Sequence, residues 1–225
     1  MKKLLLGFTA LAAVCTLPAQ AQVRVTEVAP WSSGDSPVAA DWFELTNTGN
    51  AAVNISGWTM DDNSNSFSKS VALNGVSSIA AGQSVVFIED TGDGDADLKS
   101  LFLSTWFNGA APANVQIGFY GGNGVGLSTS GDAVNVFNAA GALQANVSFG
   151  ASSTGFTFDN AAGLNNATIA ALSQVGVNGA FAAPGDSSEI GSPGLIAAVP
   201  EPSTYALMLG GLVMLGAIAR KRKQA

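Results

Sequence analysis

Between residues 23 and 149 the apolar side chains come in short alternating runs, most of them closed by glycine or asparagine. A two-residue period places side chains on opposite faces of an extended strand, and Gly/Asn clusters supply the turns between strands. Val23-Arg24-Val25-Thr26-Glu27 and Trp42-Phe43-Glu44-Leu45-Thr46 alternate in this way. So do Ala133-Val134-Asn135-Val136-Phe137 and residues 143–149. Asn47-Thr48-Gly49-Asn50 and Asn138-Ala139-Ala140-Gly141 are turns. Val53-Asn54-Ile55 and Gly57-Trp58-Thr59-Met60 read as a paired segment. Ser84-Val85-Val86-Phe87-Ile88-Glu89 is continuously apolar at its centre, which predicts an interior strand. Together these runs predict an all-β, antiparallel β-sandwich. One stretch breaks the rule. Leu98, Leu101, Phe102 and Trp106 recur at helical spacing after Asp95-Ala96-Asp97. An aspartate cap before an apolar stripe predicts one short helix over an open end of the sandwich.

The two ends of the chain have a different character. Met1-Lys2-Lys3 is a positive start, residues 4–17 are apolar, and Ala19-Gln20-Ala21 has the small-x-small form of a signal-peptidase site. This predicts a signal peptide over residues 1–21, cut after Ala21. Cys15 raises a lipoprotein alternative, opposed by Val14 where a small residue is needed. At the far end, Pro200-Glu201-Pro202 precedes an uncharged run over 205–219 and then Arg220, Lys221, Arg222 and Lys223. The 15 residues of that run cover only ~22 Å as a helix, short of a ~30 Å hydrocarbon core. Flanking polar residues, snorkelling cations and local thinning make up the difference. Four adjacent cations hold that end in the cytoplasm. The expectation is a transmembrane helix over 204–219 within a tail spanning 197–225. Residues 22–196 are left as one domain with enough chain for a real core.

Charge divides along the same lines. The whole chain carries −7, but six of its nine Lys and Arg lie in the two ends. Arg24, Lys69 and Lys99 remain in the body against fifteen acidic residues, a balance of −12. Three cations do not build a basic patch, so nucleic acid is not an expected partner. Histidine is absent, and after cleavage at Ala21 so is cysteine. Histidine triads, cysteine nucleophiles and the usual zinc sites are thereby excluded, and no disulfide can form. A carboxylate-pair glycosidase and a Ser-Lys hydrolase survive formally, the latter with only Lys69 and Lys99 to draw on.

The tail closely resembles the PEP-CTERM sorting signal of Gram-negative bacteria, carried here by Pro200, Glu201, Pro202 and the Arg220, Lys221, Arg222, Lys223 stop. The resemblance implies transient inner-membrane anchorage, recognition by a membrane-embedded exosortase, and delivery to the cell surface or exterior. The body carries a second likeness. Val25-Thr26-Glu27-Val28 is followed by Asp41-Trp42-Phe43-Glu44-Leu45-Thr46-Asn47-Thr48-Gly49 and by Val53-Asn54-Ile55-Ser56-Gly57-Trp58-Thr59. Ile79-Ala80-Ala81-Gly82-Gln83, Gly126-Leu127-Ser128-Thr129-Ser130-Gly131-Asp132 and Gly191-Ser192-Pro193-Gly194 complete the set. In this order they resemble a lamin-tail domain over roughly 23–195. That implies an immunoglobulin-like β-sandwich of the lamin-tail type, without catalytic residues. Residues 150–190, rich in Gly, Ala and Asn, depart from the pattern.

Within the body, Glu27 and Glu44 lie in strands and read as partners of a turn backbone rather than as catalysts. Asp90, Asp93, Asp95 and Asp97 form the one carboxylate cluster. Alternating aspartates with interposed glycine resemble part of a calcium loop, but the bidentate glutamate of an EF-hand register is missing. Calcium and a solvated, helix-capping turn both stay open there, and no metal ligand or other cofactor is assigned. Trp31, Trp42, Trp106, Phe107 and Tyr120 are candidates for a carbohydrate face, Trp42 first, with core packing as the default. The expected function is an exported, non-catalytic binding or structural module, with a polysaccharide or protein ligand outside the cell. Its partners during export are signal peptidase and exosortase. The alternatives are a secreted carboxylate-dependent polysaccharide hydrolase and a permanently anchored periplasmic protein.

Overall fold

A computed structural model describes residues 22–90, 95–195 and Gly211. The signal-peptide residues, including Ala19 and Ala21, lie outside that set. So do Pro200, Glu201, Pro202, Arg220, Lys221, Arg222 and Lys223. Among the described residues no helix is long and apolar enough to cross a membrane.

The first half of the body runs β1 (Val23–Ala29), β2 (Trp42–Asn47), β3 (Val53–Asn54), β4 (Thr59–Asp61), β5 (Val71–Asn74), β6 (Ser78–Ile79) and β7 (Ser84–Asp90). The helix α1 (Asp95–Phe107) follows, then β8 (Val115–Gly121), β9 (Asp132–Phe137) and β10 (Leu143–Phe149). Short elements end the domain: β11 (Phe158–Asp159), β12 (Ala167–Ile169), β13 (Phe181–Ala183) and β14 (Asp186–Gly191). Ten strands join in the order β11-β1-β2-β7-β8-β5-β4-β9-β10-β12, with β13-β14 and β3-β6 as separate pairs. The sheet folds over so that its two halves face each other across one apolar core.

Alternation decides which residues enter that core. Phe43 and Leu45 of β2, Val85 and Phe87 of β7, Val134 and Val136 of β9, and Ala145 and Val147 of β10 all face inward. Phe43 stacks on Phe87 with ring centroids 5.5 Å apart. Their neighbours Trp42, Val86 and Ile88 face the other way, into a second apolar cluster with Leu98, Phe102 and Trp106 of α1. The helix therefore lies across the outer face of β2 and β7, not over an open end of the sandwich. Trp42 supplies the reason: its ring is fully buried and meets Phe102 and Trp106 edge-on at 5.4 and 5.6 Å.

The sheet is not wholly antiparallel. β7 and β8 run parallel in register from Ser84↔Val115 to Asp90↔Gly121, and β10 runs parallel to β12. A parallel pair needs a crossover, and α1 provides one: 13 residues rise ~20 Å and return the chain to the start of the sheet. Gly118 makes this pairing fit. A Cβ there would stand 2.6 Å from the Phe87 ring and 2.8 Å from the Asn74 carbonyl. The segments around residues 53–60 do not pair with each other. β3 pairs with β6, and β4 lies between β5 and β9.

Candidate functional site

Glu27 and Glu44 stand opposite each other in the β1–β2 register, both at 0% exposure. A bulge at Thr26 shifts the ladder between Val25 and Glu27. That shift keeps Val25 and Val28 in the core while turning Glu27 to the outer face. There the two carboxylates meet the Gly191-Ser192-Pro193-Gly194 turn. Ser192 N–H donates to Glu27 Oε1 at 2.7 Å, and Gly194 N–H donates to Glu44 Oε2 at 2.5 Å. Thr157 Oγ1 donates to Glu27 at 2.5 Å and Thr26 Oγ1 to Glu44 at 2.7 Å. Hydroxyls extend the network through Thr46 and Ser84, 2.7 Å apart, and through Thr157 and Ser173, also 2.7 Å apart. Gly191 leaves room for it, since a Cβ there would sit 2.7 Å from Glu27 Oε1.

Among the described residues no lysine or arginine pairs with this dyad. Burial pushes both carboxyls up, and the Glu44 charge pushes Glu27 further. Two like charges in one dry site cannot both ionise cheaply, so the pair holds a proton well above the usual carboxylate range. Its oxygens are engaged by the fold: three of the four accept hydrogen bonds or have hydroxyl neighbours, and Glu27 Oε2 is enclosed without a partner. The pair ties the end of the domain to its first two strands.

A third buried acid, Glu189 of β14, is 1% exposed. Burial raises its carboxyl to about 7, the Ser36 hydroxyl opposing and Asp186 adding to the rise. Neither of its oxygens has a hydrogen bond of good geometry. Glu89 is raised by burial and then by Asp41, and Tyr120 by burial and then by Glu89.

The aromatic candidates do not form a surface. Trp31, Trp42, Trp106 and Tyr120 are buried to within 1%, and Phe107 packs against the helix-side cluster. Trp31 also donates from Nε1 to the Phe156 carbonyl at 2.7 Å. Residues 91–94 of the aspartate loop lie outside the described residues, and α1 begins at Asp95. Among the described residues no group of three or more Asp, Glu, His or Cys is placed to hold a metal.

One polar feature escaped the sequence reading. Asn63, Asn65, Asn135, Asn146, Asn166 and Ser148 line an open groove of about 240 Å³ on the outer face of β9 and β10. Its signal was present as asparagine at outward positions of two adjacent strands. Asparagine in a chain of this composition reads first as a turn residue.

The chain belongs to the lamin-tail family: the model of the Lamin Tail Domain matches residues 16–151. The PEP-CTERM protein-sorting motif matches residues 198–223 and marks the chain for export through an exosortase. No curated protein matches the chain. The family match ends at residue 151, short of residue 195, so β11 to β14 lie outside the matched region.

Proposed function

We propose that this protein is a non-catalytic binding or structural module, trimmed by an exosortase and left at the cell surface or in the extracellular matrix. The observation that carries the reading is the pairing of a lamin-tail domain with a sorting motif in one chain. The membrane residence of the tail is temporary on this view, and the product that matters is the released domain. The placement of Glu27 and Glu44 argues against the hydrolase alternative. Both are closed off from solvent and bonded to backbone and hydroxyl groups. A glycosidase needs two carboxyls that reach a sugar from either side.

Intact-mass measurement of the protein recovered from the outside of expressing cells tests the proposal. The expected species begins after Ala21 and ends near Pro200, Glu201 and Pro202. A species that keeps Arg220, Lys221, Arg222 and Lys223 defeats exosortase processing and leaves the permanently anchored alternative.

A further inference from the structure

The groove on the outer face is built from two layers. Its floor is Asn135 of β9 and Asn146 of β10, which are Cα partners in the antiparallel ladder. They face outward because Val134, Val136, Ala145 and Val147 face the core. Its walls are Asn63 and Asn65, from the loop after β4, and Asn166 at the head of β12. No charged side chain lines it.

Hydrogen bonds hold the walls in place. Asn135 Nδ2 donates to the Asp62 carbonyl at 2.6 Å. Asn146 and Asn166 bond twice, through Nδ2 to Oδ1 and through N–H to Oδ1, each at 3.2 Å. Asp61 shapes the loop by accepting from Ser66 N–H at 2.6 Å and Ser64 Oγ at 2.8 Å. Asn63 N–H is fixed to Asp132 Oδ1 at 2.9 Å. What remains unused faces solvent chemistry. Among the described residues the side-chain amides of Asn63 and Asn65 find no hydrogen-bond partner, and both residues are exposed. Each such amide offers two donors and an acceptor with two lone pairs.

The same loop carries an aromatic ring. Phe67 is 44% exposed and packs edge-on against Phe137 at 5.8 Å. Phe137 lies two residues beyond Asn135 on β9 and on the same face, ~7 Å along the strand. The outer face thus presents two free amides, on a loop held by hydrogen bonds, next to a part-exposed ring.

We propose that this groove binds a neutral polysaccharide chain, with the free amides of Asn63 and Asn65 meeting sugar hydroxyls and Phe67 packing on a sugar ring. The proposal rests on the reading of the chain as an exported binding module and names that module's ligand class. Paired hydroxyls donate and accept at once, as carboxamides do. A polyanion meets the −12 balance of the body with no cation in the groove. A metal ion meets no carboxylate among the lining residues.

Affinity electrophoresis of the full-length protein in detergent, through gels containing dextran, mannan, galactan or alginate, tests it. Retardation by at least one of the three neutral polymers is expected, with alginate without effect. Asn63→Ala combined with Asn65→Gly should weaken binding by about tenfold or more, the scale of one or two lost hydrogen bonds. Glycine keeps the positive φ of 47° at position 65, so the melting temperature should not move. Migration unaffected by every neutral polymer, retention that survives in the double variant, or retardation by alginate alone would overturn the proposal. A protein trimmed at its tail but not retarded defeats the groove and leaves the export reading standing. An untrimmed protein that is retarded does the reverse.

Discussion

Three buried glutamates, all with carboxyls raised by burial, should make the stability of this acidic domain fall as pH rises. Glu189 is the clearest. Its ordinary value is 4.5 and its folded value is about 7. A carboxyl whose folded value is raised contributes stability that is complete below about pH 4.5 and is lost as pH rises through 7. Glu27 and Glu44 shift in the same direction. The melting temperature should therefore fall between about pH 4.5 and 7 and level off above that. Glu189→Gln keeps the shape, removes the titration, and should flatten the fall without abolishing it, because the Glu27–Glu44 pair remains. Thermal melts of both proteins across this range check the point. Parallel curves would assign the effect elsewhere.

At the level of elements, the parallel β7–α1–β8 unit is the part that alternation alone did not announce. β2, β7, β9 and β10 were legible because their runs alternate or are solidly apolar over six or seven residues. β8 was not, since Gly118 and Gly121 interrupt its apolar pattern and glycine reads as a break. In the fold Gly118 marks the place where Phe87 crosses the chain. Gly118→Ala should cost about 1–3 kcal/mol by overpacking. The effect is read as a lower urea midpoint at unchanged m-value. An unmoved midpoint would mean that the Phe87 ring has somewhere to go. The strands of two or three residues near the end of the domain carried too little pattern to see. The groove stayed hidden for a related reason. Asn135 and Asn146 are polar positions of alternating strands, and only the register puts them side by side. Glu27 and Glu44 were easier, because charge inside an apolar run demands a partner.

For the whole molecule, charge is the governing quantity. The body has fifteen acidic residues against three basic ones. After loss of both ends it should bind an anion exchanger at neutral pH and leave duplex DNA unshifted in a gel at low salt. A shifted band would overturn the exclusion of nucleic-acid partners.

The terminal clamp also sets an order of events. The groups that satisfy Glu27 lie 130 and 165 residues further along the chain, and the one that reaches Glu44 lies 150 further. On the signal-peptide reading the amino end leads export, and β1 and β2 cross the membrane long before residues 192–194 emerge. Until they do, both glutamates stay hydrated and ionised, and the outer face beside them stays open. Contacts of such sequence separation form late and slowly. The domain is therefore completed by almost the last residues of the body to cross, so that a translocation stalled midway leaves an unsealed sheet rather than a smaller folded protein.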